Sequence, residues 1–186
     1  MNTFYLPLKR RDKSVIDNNF LKIKTNSLLE EIMFKNMRRD EKKLSKEKAF
    51  NILKEGDYGI LATFGKDGYP YGVPMNYILY KDKIFLHCAP EGHKLENLKH
   101  NNKVSFTVVG SYELKPAAFT SKYESVIIFG KANIVKGEIK KEVLQEYIIK
   151  FSPEFKTEGF NYIEKAVDET TIIQITIEDI KGKKND

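Results

Sequence analysis

The chain has 186 residues, 41% hydrophobic and 31% charged, the size and composition of one soluble globular domain. No apolar run approaches the 18 residues of a membrane helix, and no charged-then-apolar leader is present, so the default expectation is a cytoplasmic protein without a membrane partner. Cys88 is the only cysteine, which excludes an internal disulfide and any cysteine-cluster metal site, and the net charge of +6 has no basic run interleaved with aromatics, which argues against nucleic acid and suits a small anionic ligand.

Residues 1–36 differ from the rest. They hold seven Lys+Arg and four Asp+Glu, hence +3 of the excess charge. Leu28, Leu29, Ile32 and Met33 suggest a weak amphipathic helix. This segment is either an extension outside the core or an arm that packs on a partner subunit, and the core domain is expected over 37–186. Ser45 is a preferred N-cap. Ala49, Ile52 and Leu53 then fall on one helical face, and Gly56 ends the helix. Tyr58–Phe64 reads as a strand, Gly65-Lys-Asp-Gly68 as a hairpin turn, and Pro70–Tyr80 as a second strand. A turn at Lys81-Asp82-Lys83 leads to a strand over Ile84–Cys88. Cys88 reads as a small core residue more readily than as a redox thiol.

Pro90-Glu91-Gly92 is turn chemistry, and a helix is expected over 94–100. Lys103–Gly110 alternates as a strand, 111–122 reads as a loop around Pro116, and Glu124–Lys136 is a long strand with Gly130 at a bulge or close approach. Ile139–Phe151 has helical spacing and stops at Ser152-Pro153. Asn161–Val167 reads as a short helix and Thr170–Ile177 as the last strand. Strands joined mainly by hairpins, with helices between them, favour a mainly β (α+β) antiparallel sheet or barrel over a parallel doubly wound one.

Two places break local rules or gather chemistry. Pro74 lies mid-strand, where it cannot donate to a ladder; an edge position, or a backbone facing a ligand, removes the conflict. The Gly92-His93-Lys94 segment opens a helix, whose unpaired N–H groups and partial positive charge suit a phosphate. The bland alternative there is a surface helix with a solvated lysine. His87, His93 and His100 lack metal-ligand spacing, so no metal site is expected. No nucleophile–base pair stands out either, so any chemistry would come from something bound. Tyr71, Tyr77 and Tyr80 read as an aromatic cluster on neighbouring strand positions.

In order, Tyr58-Gly-Ile-Leu-Ala62, Gly65-Lys-Asp-Gly-Tyr-Pro-Tyr71, Val73-Pro-Met-Asn-Tyr77, Phe85-Leu-His87, Glu91-Gly-His-Lys94 and Tyr123-Glu-Ser-Val-Ile-Ile-Phe-Gly130 resemble the pyridoxamine 5'-phosphate oxidase-like, FMN-binding split-barrel family. With Met37-Arg-Arg39, the resemblance is nearest its nitroimidazole-resistance (Nim) branch. It implies an antiparallel split β-barrel with flanking helices, and a homodimer with FMN at the interface. By the same resemblance Val73, Pro74, Met75 and Asn76 line the flavin ring, and Leu86, His87, His93 and Lys94 meet the phosphate and ribityl chain. His93 stands where the family more usually has arginine, which makes phosphate binding weaker or pH-dependent. Asn97, one turn beyond Lys94, reaches the same ligand, and Tyr123 and Ser125 begin a strand that approaches the flavin. His87 matches a histidine beside the reactive face, where it would orient or protonate a substrate. The implied activity is FMN-dependent reduction of a small aromatic or nitroaromatic compound. The alternatives are a non-catalytic flavin- or haem-binding module, with His87 as axial ligand, or use of a deazaflavin in the same groove.

Overall fold

In the computed structural model, which describes residues 34–186, the strands are β1 (Tyr58–Phe64), β2 (Pro70–Asn76), β3 (Ile78–Tyr80), β4 (Lys83–Cys88), β5 (Lys103–Lys115), β6 (Thr120–Val135) and β7 (Thr171–Asn185). The helices are α1 (Lys46–Glu55), α2 (His93–His100), α3 (Ile139–Phe151) and α4 (Lys156–Ala166). All seven strands form one antiparallel sheet in the order β2-β1-β5-β6-β7-β4-β3. β2 and β3 stand at its opposite ends, yet only Tyr77 separates them along the chain. The sheet must therefore curl until its ends meet. The result is the expected antiparallel split barrel with flanking helices. The greater part of the expected N-terminal extension, residues 1–33, lies outside the described residues.

Alternation decides what fills the barrel. Leu61, Phe106, Val108, Val126, Ile128, Ile84, Leu86, Ile173 and Ile175 point inward and are fully buried. Each such side chain contributes about 1.5–3 kcal/mol by leaving water. Helix α1 adds Ala49 and Leu53 to this core. It starts as expected, with Ser45 Oγ accepting the Lys48 N–H at 3.2 Å. Tyr77, buried at the turn between the sheet ends, donates its hydroxyl to Leu53 O at 2.6 Å and packs edge-on against Phe106. Burial pushes its phenol well above the ordinary range. A second core lies outside the barrel, where Val143, Leu144 and Tyr147 of α3 and Ile163 of α4 cover Ile78, Phe85 and Ile172.

The sequence expectations hold in outline and fail at several edges. The strand expected over Pro70–Tyr80 breaks at Tyr77, because its two halves belong to opposite ends of the sheet. The loop expected over 111–122 is instead a projecting hairpin, with pairing continuous from Ser111↔Glu124 to Lys115↔Thr120 around Pro116–Ala118. Both its faces meet solvent, so the short alternation of Tyr112 and Leu114 with Glu113 and Lys115 serves no core; Phe119 at its tip is 96% exposed. The last strand runs on to Asn185, and the short helix spans Lys156–Ala166. Gly130 is at a bulge, as expected: Phe129 pairs with Asp179 but Gly130 with Ile177, skipping Glu178. A Cβ on Gly130 would lie 2.3 Å from the Thr176 carbonyl. Cys88 is half-buried against the core, as expected, and burial raises its thiol pKa.

Candidate functional site

Pro74 sits at a sheet edge. β2 pairs with β1 alone, and Pro74 stands opposite Ile60. The direction of the β2 backbone follows from two contacts. Thr63 Oγ1 of β1 lies 3.4 Å from Tyr71 O, so Tyr71 faces β1. Asn76 O instead accepts the Tyr147 hydroxyl at 3.1 Å, so Asn76 faces away. In a strand, alternate residues turn their backbone groups the same way. Pro70, Gly72, Pro74 and Asn76 therefore present theirs along the open edge. The proline that lacks an N–H costs no ladder bond, and the Gly72 N–H and the Gly72 and Pro74 carbonyls look outward.

Across the seam from this edge lies β4. Ile84 and Leu86 point into the barrel, so Phe85 and His87 point out of it. Leu86 is fully buried, which leaves only its main chain for a ligand. His87 is exposed on one side, while its ring packs edge-on against Tyr147, centroids 4.6 Å apart at 86°. Desolvation by that packing holds the imidazole below its ordinary range, so it is neutral at pH 7.

The chain then turns at Gly92, whose φ of 133° favours glycine, into α2. Gly92 O accepts the N–H groups of Leu95 and Glu96 at 2.9 and 3.2 Å, and no side chain caps the helix start. A Cβ at Gly92 would meet nothing within 4 Å, so the approach to the helix tip is open. Lys94 is half-buried and near enough to Cys88 to offset part of the burial effect on its thiol. His93 is exposed, packs against Tyr71 with centroids 4.4 Å apart and the rings tilted by 40°, and places Nε2 3.7 Å from the Asp67 carboxylate. Asp67 belongs to the β1–β2 turn, where it also accepts the Tyr69 N–H at 3.2 Å. Between that turn and α2 opens a cleft of about 620 Å³, lined by Lys66, Asp67, His93, Glu96, Asn97 and Lys99. A cleft of similar size, about 660 Å³, between Pro90, Leu98, Ala132 and Thr171 on another side of α2 holds none of the candidate residues.

One chain thus brings together Pro74, Asn76, His87, His93 and Lys94 around the seam. Val73 and Met75 turn their side chains toward the core, so they contribute to the strand more than to its edge. Asn97 is only 3% exposed and its amide donates to Thr63 Oγ1 at 3.1 Å, which braces α2 against β1. Tyr123 and Ser125 lie elsewhere. Pro74↔Ile60↔Thr107↔Ile127 defines one row across the sheet. β6 is the third strand from β2. At roughly 4.8 Å per strand, Ser125 is on the order of 14 Å from the edge. The three tyrosines do not cluster: Tyr71 meets His93, Tyr77 is in the barrel, and Tyr80 packs on Phe85 and hydrogen-bonds Glu142. Tyr147 and Asp67 escaped the sequence reading. Helical spacing put Tyr147 on a buried face, but nothing local reveals a hydroxyl whose partners are Phe85 O and Asn76 O.

The fold and the seam define an antiparallel split barrel with flanking helices. The pyridoxamine 5'-phosphate oxidase profile matches residues 45–184, and the chain belongs to that family. Among solved structures, one assigned as a 5-nitroimidazole antibiotic resistance protein of Bacteroides thetaiotaomicron is 26% identical with a TM-score of 0.65, covering 76% of this chain and 85% of that one. A FAD-binding protein of Mesorhizobium loti is 22% identical, TM-score 0.58, over 77% of this chain and 97% of that one. A FAD- and haem-binding protein of Mycobacterium smegmatis is 16% identical, TM-score 0.57, over 78% and 74%. These two show the shared fold. No curated protein sequence matches the chain. No helix among the described residues is long and apolar enough to cross a membrane, and no group of three or more His, Cys, Asp or Glu among them could hold a metal ion.

Proposed function

We propose that this chain is an FMN-dependent oxidoreductase that works as a homodimer and reduces a small aromatic or nitroaromatic acceptor of the 5-nitroimidazole kind. The observation that carries the reading is the seam itself. The open β2 edge and the exposed, neutral His87 share Tyr147 as a neighbour, and the uncapped helix tip with Lys94 follows β4 in the chain. The donor set fits the cofactor. Lys94 and the N–H groups at the start of α2 suit a phosphate monoester, and the absence of a Cβ at Gly92 leaves room for it. The outward groups of Gly72 and Pro74 and the Asn76 edge suit the polar rim of a flat heterocycle. FMN bound there would supply the redox chemistry, accepting electrons from an outside donor and passing them on. His87 would hold one N–H toward the acceptor and present its other ring nitrogen as a proton acceptor.

The dimer has its own support. Among the described residues, the outer face of β1, β5 and β6 exposes Tyr58, Ile60, Val109 and Ile127. A contiguous apolar sheet face of this kind marks a protein interface. Tyr123 and Ser125 lie on β6, so a second copy laid on this face would bring them near the partner's β2 edge.

The test is direct. The purified chain should be yellow, should release FMN identifiable by mass spectrometry, and should run as a dimer by light scattering. A colourless monomer indifferent to added FMN would end the proposal. A sharp Soret band abolished by His87→Ala would favour the haem-binding reading instead.

A further inference from the structure

The seam has a residue that no strand supplies. Tyr147 projects from α3 into the gap where β2 ends and β3 begins. It is 6% exposed. Its hydroxyl lies 2.8 Å from Phe85 O on β4 and 3.1 Å from Asn76 O on β2. The backbone amide of His87 lies beside it and works against the effect of burial on the phenol. Its ring is the edge-on partner of the His87 imidazole, and on another side it stacks on Phe151 at 5.7 Å. Burial pushes the phenol far above its ordinary range, so it stays a proton donor throughout the physiological pH window.

We propose that Tyr147 is the positioning residue of the seam: its ring sets the orientation of His87, and its hydroxyl sets the spacing between the β2 edge and β4. Backbone groups of β4 and of the end of β2, two strands that do not pair with each other, converge on one oxygen. A tyrosine needed only as core would satisfy its hydroxyl once, and would not choose partners on both sides of the split. The ring contact is equally specific. No charged group enters the environment that keeps His87 neutral; burial alone does it, and Tyr147 supplies the ring packed on the imidazole. The consequence for cofactor binding rests on the FMN reading above; the consequence for His87 does not.

The experiment uses the full chain with Tyr147→Phe and Tyr147→Leu, their folding checked by circular dichroism. Imidazole NMR titration without added ligand should show the His87 midpoint near its wild-type value in Tyr147→Phe. In Tyr147→Leu it should move toward that of a free histidine, with His93 and His100 unmoved as internal references. In Tyr147→Phe the His87 amide should exchange at least about tenfold faster than in the wild type, while the Ile84 amide does not. FMN titration should give a several-fold weaker Kd for both variants. A folded Tyr147→Leu with an unmoved His87 midpoint overturns the proposal. If that variant does not fold, unchanged His87 amide exchange in Tyr147→Phe overturns it. A wild-type chain that ignores FMN, together with the expected His87 changes, refutes the FMN reading and leaves Tyr147 in its role.

Discussion

Lys94→Ala tests the phosphate corner most sharply. Lys94 follows Gly92 by two residues, is half-buried, and has no ion-pair partner among the described residues. Its charge is therefore available to a ligand, and its loss leaves no buried partner behind. A charge-assisted hydrogen bond to phosphate is worth about 1.5–3 kcal/mol net. Removing it should raise the FMN Kd by roughly 10- to 150-fold, since 1.4 kcal/mol is a factor of ten. The helix tip remains and contributes about 0.3–1 kcal/mol, so binding should weaken without vanishing. Flavin fluorescence titration at two salt concentrations measures both effects, because losing one charge should also flatten the salt dependence. Riboflavin, which lacks the phosphate, should bind wild type and variant alike. An FMN Kd unchanged by the substitution, with the flavin still bound, would refute the placement of the phosphate at α2.

Three more outcomes are expected. Asp67→Asn removes the carboxylate that holds His93 at 3.7 Å and repels an incoming anion, so FMN should bind about two- to fivefold tighter by the same titration, the scale of an exposed ion pair. His87 is held neutral in the fold and protonates more readily once unfolded, so the unfolded chain binds more protons as pH falls below the free-histidine value of about 6.5. Stability should be full above that pH and decline through the folded value, and urea melts of His87→Gln should lose that part of the acid slope while turnover falls. Gly130→Ala puts a Cβ 2.3 Å from the Thr176 carbonyl, where backbone must shift; a loss of about 1–3 kcal/mol is expected from urea denaturation, and an unmoved midpoint would contradict the bulge.

What the sequence made legible follows the range of the physics involved. Alternation over Lys103–Val108, the Ser45 cap and the Gly130 bulge are local, and each is where the residues put it. Pro74 was legible as a conflict, and the edge position of β2 resolves it. The hairpin beyond Val109 was not, because a strand pair wet on both faces gives its short Tyr112–Leu114 alternation no core to serve; its pairing alone defines it. The seam was half legible. His87 and Lys94 stand close in sequence, and a motif can carry them. Tyr147 and Asp67 join the site only through the curl of the sheet and the β1–β2 turn, across 62 residues from Phe85 in the first case.

The even-numbered register of β2 has one more effect. An exposed sheet margin ordinarily invites another polypeptide to add itself, the first step of runaway stacking. Here Pro70 and Pro74 take two of the four outward positions and have no hydrogen to give, so an incoming chain would find every second rung missing. A compact planar guest asks for only a few contacts and is not deterred. The same pair of imino acids can thus keep a margin hospitable to a small molecule and closed to fibril growth.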